Sequence, residues 1–517
     1  MKDSLRQSMA SLHTWTGLIP GWILFIIFLF GTAAFFNGEI SRWMRPELSG
    51  APVSRQALDA ADRLLKEKGA GAESWSLSMP DPRGGEGLDL SWRAKGASRR
   101  DRQEIMLDPG TGAETTVRDT RGGYFLYRMH FDLHYMPVSW ARIMVCIAAL
   151  AMLVAILSGI VTHKKIFADF FMLRFGKGQR SWLDAHNVTA VLALPFHLMM
   201  TYTGLVTLLF TIMPWAISAN FPDRDAYFAE AFPSDPKVEP SGKPAAMLPF
   251  GTLLRIAGET KPGLYPAFVT IHHPGDAAAV AQVYMRSDTL GGVREPVHMS
   301  ATTGEVMGGR PPRGGAAATQ QVMIDLHAGR YSGLALRWLY FLSGVGGTIM
   351  VATGLALWTV KRRAKLPDPA RPHFGFRLVE RLNIGFIAGA PAGVAAYFLL
   401  NRLLPVGLTG RAAWEVNGLF ILWGGVFVWS MARPAKRAWT EALSVGAALF
   451  AAVPVADLLL SRALPQSLMR GEWLFLSFDL VMIALAAGFA LAARKVATHQ
   501  PKAAPRRRQR DMQEALA

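Results

Sequence analysis

Apolar runs of similar length punctuate the chain at about residues 17–37, 138–162, 187–213, 336–360, 378–403, 413–432, 439–461 and 473–493. Each approaches the ~20 residues that an α-helix needs to cross a bilayer, so the pattern predicts an α-helical polytopic membrane protein of about eight spans. No small-residue cleavage site follows the first run, which reads as an uncleaved anchor. Two polar segments, 38–137 and 214–335, separate the first four runs and are long enough to fold. The first offers a helical pattern at 54–68 and then strand-like LDLSW (88–92) and QEIML (103–107). The second offers FGTLLRIAGE, AFVTIHH and AAVAQVYMR in the same order, so two small α+β domains are expected. The resulting map is a first span within 1–37, a domain at 38–137, spans two and three within 138–213, and a second domain at 214–335. A fourth span at 336–360, a four-span extension at 378–493 and a basic tail at 494–517 complete it.

Charge orients this map. The 517 residues are 51% hydrophobic with a net charge of +17, and the basic residues gather beside the apolar runs rather than on one soluble face. Lys164, Lys165 and Arg174 follow span two, Lys361 to Arg363 span four, Arg433 and Lys436 span six, and Arg494 and Lys495 span eight. The positive-inside tendency then puts both termini in the cytoplasm and both polar segments on the other side. This placement also removes the reason to expect a nucleic-acid partner; membrane lipid is the expected surrounding. The single cysteine, Cys146, lies in an apolar run and offers neither a disulfide nor a redox pair.

An internal repeat changes the picture further. MLDPGTGAE at 106–114 and HMSATTGEV at 298–306 are both strand–turn–strand signals with Thr-Gly at the turn. His13 and Gly31 are 18 positions apart, as are His186 and Gly204, and Ser158-Gly159 matches Thr353-Gly354. FDLHYMP at 131–137 and IDLHAGR at 324–330 complete the correspondence. The chain is thus two copies of span, domain, span, followed by four extra spans.

Four histidines hold matched places, His13 with His186 and His134 with His327. Ionisable groups at span ends or within spans are costly, and two symmetry-related pairs point to ligation more strongly than one histidine does. Haem iron takes imidazoles from opposite faces, and bundle helices can present them. Zinc asks for a denser donor set than this, and no Cys or HExxH cluster accompanies the histidines. Asp132 and Asp325 stand two residues before their histidines, as partners for a ring N–H or as helix caps. His197, His163 and His130 are alternative ligands, His197 lying three helical turns beyond His186 on a continuous helix. Arg128, Arg142, Arg330 and Arg337 are candidates for carboxylate contacts or for interfacial snorkelling.

With its two Thr-Gly-bearing domains, the DLH pairs at 132–134 and 325–327, and His13 and His186 heading their spans, the chain resembles the PepSY-associated transmembrane proteins over residues 5–365. That family includes iron-regulated membrane proteins and ferric-siderophore reductases. The resemblance implies two small PepSY-like periplasmic domains on an inner-membrane protein. It also implies two b-type haems held by His13, His134, His186 and His327, and an oxidoreductase activity that reduces ferric iron in a periplasmic siderophore or other ferric chelate. The electron donor is a quinol or a cytoplasmic reductase; no GxGxxG follows a strand on the cytoplasmic side. The other readings are a non-enzymatic scaffold or regulator and an iron-chelate permease.

The extension has little chemical vocabulary. Glu415, Asn417, Asp457 and Asp479 suit a proton path, a quinone site or helix-locking bonds. In the polar segments, His272, His273, Trp75 and Trp92 are candidates for substrate contact and, more simply, strand and turn residues.

Overall fold

The computed structural model describes residues 4–81, 83, 87–98, 101–163, 172–231, 239–292, 296–308, 314–369 and 371–500. Lys164, Lys165 and the tail beyond residue 500 lie outside the described residues. The first repeat unit runs α1 (Leu5–Leu18), α2 (Gly21–Ala34), α3 (Asn37–Trp43), α4 (Arg55–Lys68), β1 (Ser74–Ser78), β2 (Leu88–Arg93), β3 (Gln103–Leu107), α5 (Gly122–Asp132) and α6 (Val138–Thr162). The second runs α7 (Gln179–Leu192), α8 (Leu194–Thr207), α9 (Phe250–Thr260), β4 (Tyr265–His272), β5 (Val280–Arg286), β6 (Pro296–Ser300), α10 (Gly315–Ala328) and α11 (Leu334–Arg363). The extension adds α12 (Phe374–Leu403, with a π-helical turn at Gly385–Gly389), α13 (Arg411–Ala432), α14 (Ala435–Leu460) and α15 (Leu474–Thr498).

By length and apolar character, six helices can cross a membrane, or eight if each of two bent pairs counts as one span. The first and third spans, expected as continuous, are those pairs: α1 and α2 meet at 62° and α7 and α8 at 68°. Pro20 precedes α2 and Pro195 lies in the first turn of α8, where a ring without an N–H starts a helix easily but cannot continue one. His186 and His197 therefore sit on differently directed segments, not on one straight face.

Where two separate domains are expected, the polar segments share one antiparallel sheet of order β3-β2-β1-β4-β5-β6. β1 pairs with β4 at the seam, Ser74 opposite His272 and Leu77 opposite Val269. Alternation in β1 buries Trp75 and Leu77 beneath α4 and α9, in a core with Leu65, Leu90, Phe250 and Val283. The Thr-Gly turns form as read: Gly112 and Gly304 take φ of +71° and +78°, a region costly for residues with a Cβ. A second tie crosses the seam, where both carboxylate oxygens of Asp62 on α4 accept from the Phe250 N–H that opens α9, at 3.2 Å.

The extension docks on the first repeat unit through buried polar groups. Arg402 pairs with Asp457 at 2.6 Å, donates to the Trp43 carbonyl at 2.6 Å and lies 3.7 Å over the Trp43 ring. Arg411 pairs with Glu415, which also accepts from Asn401 at 2.8 Å and from the Thr120 hydroxyl. Tyr397 donates to the Gly122 carbonyl at 2.9 Å, and Asn417 accepts from Tyr135. Of the roles open to these side chains, helix locking is the one their bonds describe.

Candidate functional site

The helices meet in two histidine pairs, one near the sheet and one at the opposite end of the bundle. At the far end, His13 of α1 and His186 of α7 face each other with ring centroids 6.1 Å apart. Beside the sheet, His130 of α5 and His327 of α10 do the same at 6.0 Å. Each Nδ1 bonds a backbone carbonyl: His13 to Ala155 (2.8 Å), His186 to Met350 (2.9 Å), His130 to Ile27 (2.7 Å) and His327 to Met200 (3.0 Å). A carbonyl only accepts, so Nδ1 carries the proton and Nε2 is left as the basic nitrogen.

One helical turn beyond each of these carbonyls stands a glycine that clears the ring. A Cβ at Gly31 would lie 2.6 Å from the His130 ring, at Gly204 2.9 Å from His327, at Gly354 3.1 Å from His186 and at Gly159 3.2 Å from His13. The same two-residue cradle, carbonyl and glycine four positions apart, thus recurs at all four histidines. This gives a physical reason for the matched glycines that mark the repeat.

His134 is not part of this arrangement. It lies past the end of α5, where Leu133 and Tyr135 adopt left-handed φ of +41° and +66°, and its ring packs on Phe125, Tyr135 and Phe420. The pairing of His134 with His327 expected from the repeated DLH is therefore corrected: His130 faces His327. The helix rather than the tripeptide sets the register, because His130 and His327 both fall in the last turn of their helices. Asp132 and Asp325 do not take the ring nitrogens either. Asp132 pairs with Arg128 and, at 3.0 Å, with Arg142, while Asp325 accepts from the Gly291 N–H and the Gln321 amide, both at 3.1 Å. Nothing in the local sequence distinguishes these uses from ring contacts.

The other histidines are dispersed. His163 caps α6 and bonds the Asn187 amide at 2.9 Å, beside His186. His197 is buried, with Nε2 3.4 Å from the Ser343 carbonyl. His272 and His273 belong to a strand and its turn, and Trp75 donates from its indole to the Gly69 carbonyl at 2.8 Å inside the sheet core.

A cavity of about 760 Å³ opens between bundle and sheet at the His130–His327 pair, within the range of cofactor sites. Gly31, Gly204, Arg142, Arg330 and Arg337 contribute to its wall, as do Phe268 and Tyr284 of the sheet, whose rings stack at 4.1 Å. Arg142 and Arg337 are held by Asp132 and Glu39, the latter at 2.6 Å. At the far end, Arg362 lies 4.0 Å over the Trp358 ring, two turns beyond Gly354 on α11.

Metal–imidazole bonds run at about 2 Å and the ring centroid lies about 1 Å further back, so two imidazoles sharing one metal have centroids ~6 Å apart. Both pairs fit that spacing, and the tied Nδ1 atoms leave Nε2 for the metal. Among the described residues no group of three or more His, Cys, Asp or Glu converges as a metal site, so the donor set suits a metal that brings its remaining ligands with it, as haem does.

Fold and site together define a multi-pass helical membrane protein, built by duplication, whose two units each present one histidine to the other at both ends of a bundle. The chain belongs to the PepSY-associated TM region family, whose model matches residues 10–361, that is, both repeat units without the extension. It is similar to the uncharacterized protein PA4219 of Pseudomonas aeruginosa, with 27% identity over 364 residues, covering 66% of this chain and 87% of that protein.

Proposed function

We propose that this protein is a b-type haem reductase of the inner membrane that passes electrons toward the sheet domain, reducing ferric iron in a siderophore or similar chelate and releasing ferrous iron. The observation that carries the reading is the pair of facing histidine couples at 6.1 and 6.0 Å, each with Nδ1 tied to the backbone. A haem at each couple would supply a one-electron carrier. The chain's own share would be to hold each haem through the free ring nitrogens of His13 and His186 or of His130 and His327, exclude lipid and keep a carrier near each membrane face. The cavity beside the sheet gives a bound group an edge toward the side where a ferric chelate would arrive. In this reading the sheet domain is periplasmic and both termini are cytoplasmic, as the basic flanks suggest, and a quinol or a cytoplasmic reductase supplies the electrons. Ferrous iron binds hard oxygen donors less tightly than ferric iron, so one electron per iron suffices for release.

Reduced-minus-oxidised spectra of the purified full-length protein test this. A sharp b-type band in the wild type, followed by ferric-chelate reduction with a membrane donor, is expected. A featureless spectrum from protein produced with ample haem would overturn the reading and leave a scaffold or a permease.

A further inference from the structure

The duplication also shows where the two units differ. His13 with His186, Ile27 with Met200 and Gly31 with Gly204 are each 173 positions apart; Ala155 with Met350 and Gly159 with Gly354 are each 195 apart. By the same offsets His197 matches Leu24, Ser343 matches Ala148, and Gly347 matches Met152. The first unit fills these places with buried apolar side chains, whereas the second holds an imidazole, a carbonyl and a glycine.

Ser343 and Gly347 stand four apart on α11, as the carbonyl and glycine of each histidine cradle do. Nε2 of His197 lies 3.4 Å from the Ser343 carbonyl, and a Cβ at Gly347 would lie 3.0 Å from that nitrogen and 2.3 Å from Phe28. His197 is thus seated like the four paired histidines, but its ring meets the edge of Phe28 (5.7 Å) instead of another imidazole. It also lies between the pairs. On α8 it shares a face with Met200 and Gly204, which cradle His327; on α11 its cradle shares a face with Met350 and Gly354, which cradle His186. Seven residues separate it from Gly204, and seven separate Gly347 from Gly354, about 10 Å of helix in each direction.

We infer that His197 is a proton-accepting group placed between the two haem sites, taking up a proton when a neighbouring haem is reduced. The inference rests on the haem reading. Reduction converts ferric to ferrous iron and adds one negative charge to a dry bundle, where an uncompensated charge is costly. The electron comes from a one-electron reductant and the proton from water, ending on Nδ1 to form imidazolium. Thr201, Phe28 and Phe196 all touch His197 or its backbone and all line the cavity beside the sheet, so solvent in that cavity comes within one side chain of it.

The competing groups on the helices packed around it are few. α2 has no titratable side chain; α8 adds Tyr202, α6 Cys146 and Arg142, α10 Asp325 and His327, and α11 Tyr340 and Arg337, with the cations Lys361, Arg362 and Arg363 in its last turn, two turns and more beyond the His186 cradle. Arg142 and Arg337 are ion-paired, Asp325 is bonded to Gly291 and Gln321, and His327 gives its Nδ1 proton to Met200. A thiol and two phenols are neutral at pH 7 and gain no proton there.

Spectroelectrochemical titration of the full-length protein between pH 5.5 and 8.5 tests this in the wild type, His197→Leu and His197→Gln. The Leu variant copies the first unit, and Gln keeps a donor for Ser343 without a titratable nitrogen. In the wild type one midpoint potential is expected to rise as pH falls, by up to about 59 mV per tenfold rise in proton concentration at full coupling. Both variants should keep the b-type band and lose most of that slope. An unchanged slope in either variant, or a Gln variant that restores it where Leu does not, would overturn the proton role while the haem reading stands. Loss of haem from both would make His197 a binding residue and overturn it too. A wild type without a b-type band would instead remove the haem reading itself.

Discussion

In the duplicated unit each paired histidine gives one ring nitrogen to a backbone carbonyl and keeps the other as a free base. In the extension Arg402, Arg411, Glu415 and Asp457 put their charges into one another and into nearby backbone. Both regions bury polar groups in a helical bundle. Only the first sets its unspent nitrogens in facing pairs, four times with the same carbonyl–glycine device; in the extension one oxygen each of Asp457 and Asp479 is left without a partner. The difference teaches that burial of a titratable group is not itself a functional signal; what the group has left over, and whether a second donor faces it, is. On that measure the extension is a brace. It clamps α3 through Trp43 and the link to α5 through Thr120, so that it supports the helix carrying His130.

The sharpest way to break this comparison is to remove one partner of the brace. Arg402→Ala leaves Asp457 as a buried carboxylate without its guanidinium, and loss of one partner from a buried pair typically costs about 3–5 kcal/mol. The thermal midpoint of the detergent-solubilised protein should fall sharply. Arg402→Leu with Asp457→Leu should recover much of the loss, because removing both charges removes the stranded one. If the double variant stays stable but loses reductase activity with haem intact, the extension does more than brace.

The next largest effects separate the two sheet-side histidines. His130→Ala and His327→Ala should each remove about half of the b-type absorbance, given two haem sites that fill independently. His134→Ala should leave it unchanged, since that ring packs on aromatic side chains past the helix end. The reverse outcome would restore the DLH pairing and disprove the cradle as the mark of a ligand. Gly31→Ala tests the cradle itself: its Cβ would lie 2.6 Å from His130 Nδ1 and should lower haem occupancy of the sheet-side site at least two-fold. Gly17→Ala, with nothing within 4 Å, should have no effect.

Much of this was legible beforehand. Helix number followed from apolar length, and the repeat from Thr-Gly turns and glycine spacing, because those patterns answer to local rules. The broken spans were half legible: Pro20 and Pro195 are visible in sequence, but the 62° and 68° bends depend on packing. His13, His186 and His327 were found through the repeat. His130 reads in the sequence only as an alternative, because the tripeptide match draws the register four residues too far. What ends α5 is the left-handed turn at Leu133, a non-glycine conformation that no composition rule announces. The shared sheet was hidden for a different reason, since β1 and β4 pair across nearly two hundred residues of intervening chain.

The sheet seam offers the mildest test, a buried carboxylate whose hydrogen-bond partner is a backbone N–H instead of a guanidinium. Burial pushes the Asp62 carboxyl up to about 6, the Phe250 N–H opposing the rise only in part. A folded-state value above the ordinary 3.8 means that the folded protein binds more protons than the unfolded chain between about pH 4 and 6. Stability from this group is therefore present at the acidic end and lost as pH rises through 6. Asp62→Asn keeps an oxygen for Phe250 and removes the ionisation. A shift of about two units corresponds to at most ~3 kcal/mol, and solvent screening at this partly buried group lowers the expected gain at pH 7 to ~1 kcal/mol. Melting of full-length wild type and variant should thus show the variant ahead at pH 7 and level near pH 4.5. Asp89, also pushed up to about 6 by burial, remains in both proteins and cancels in the difference. A deficit at pH 7 that closes near pH 4.5 would mean that the ionised carboxylate itself, not its oxygen geometry, holds the seam, and that the sheet joins its halves as the extension joins its helices.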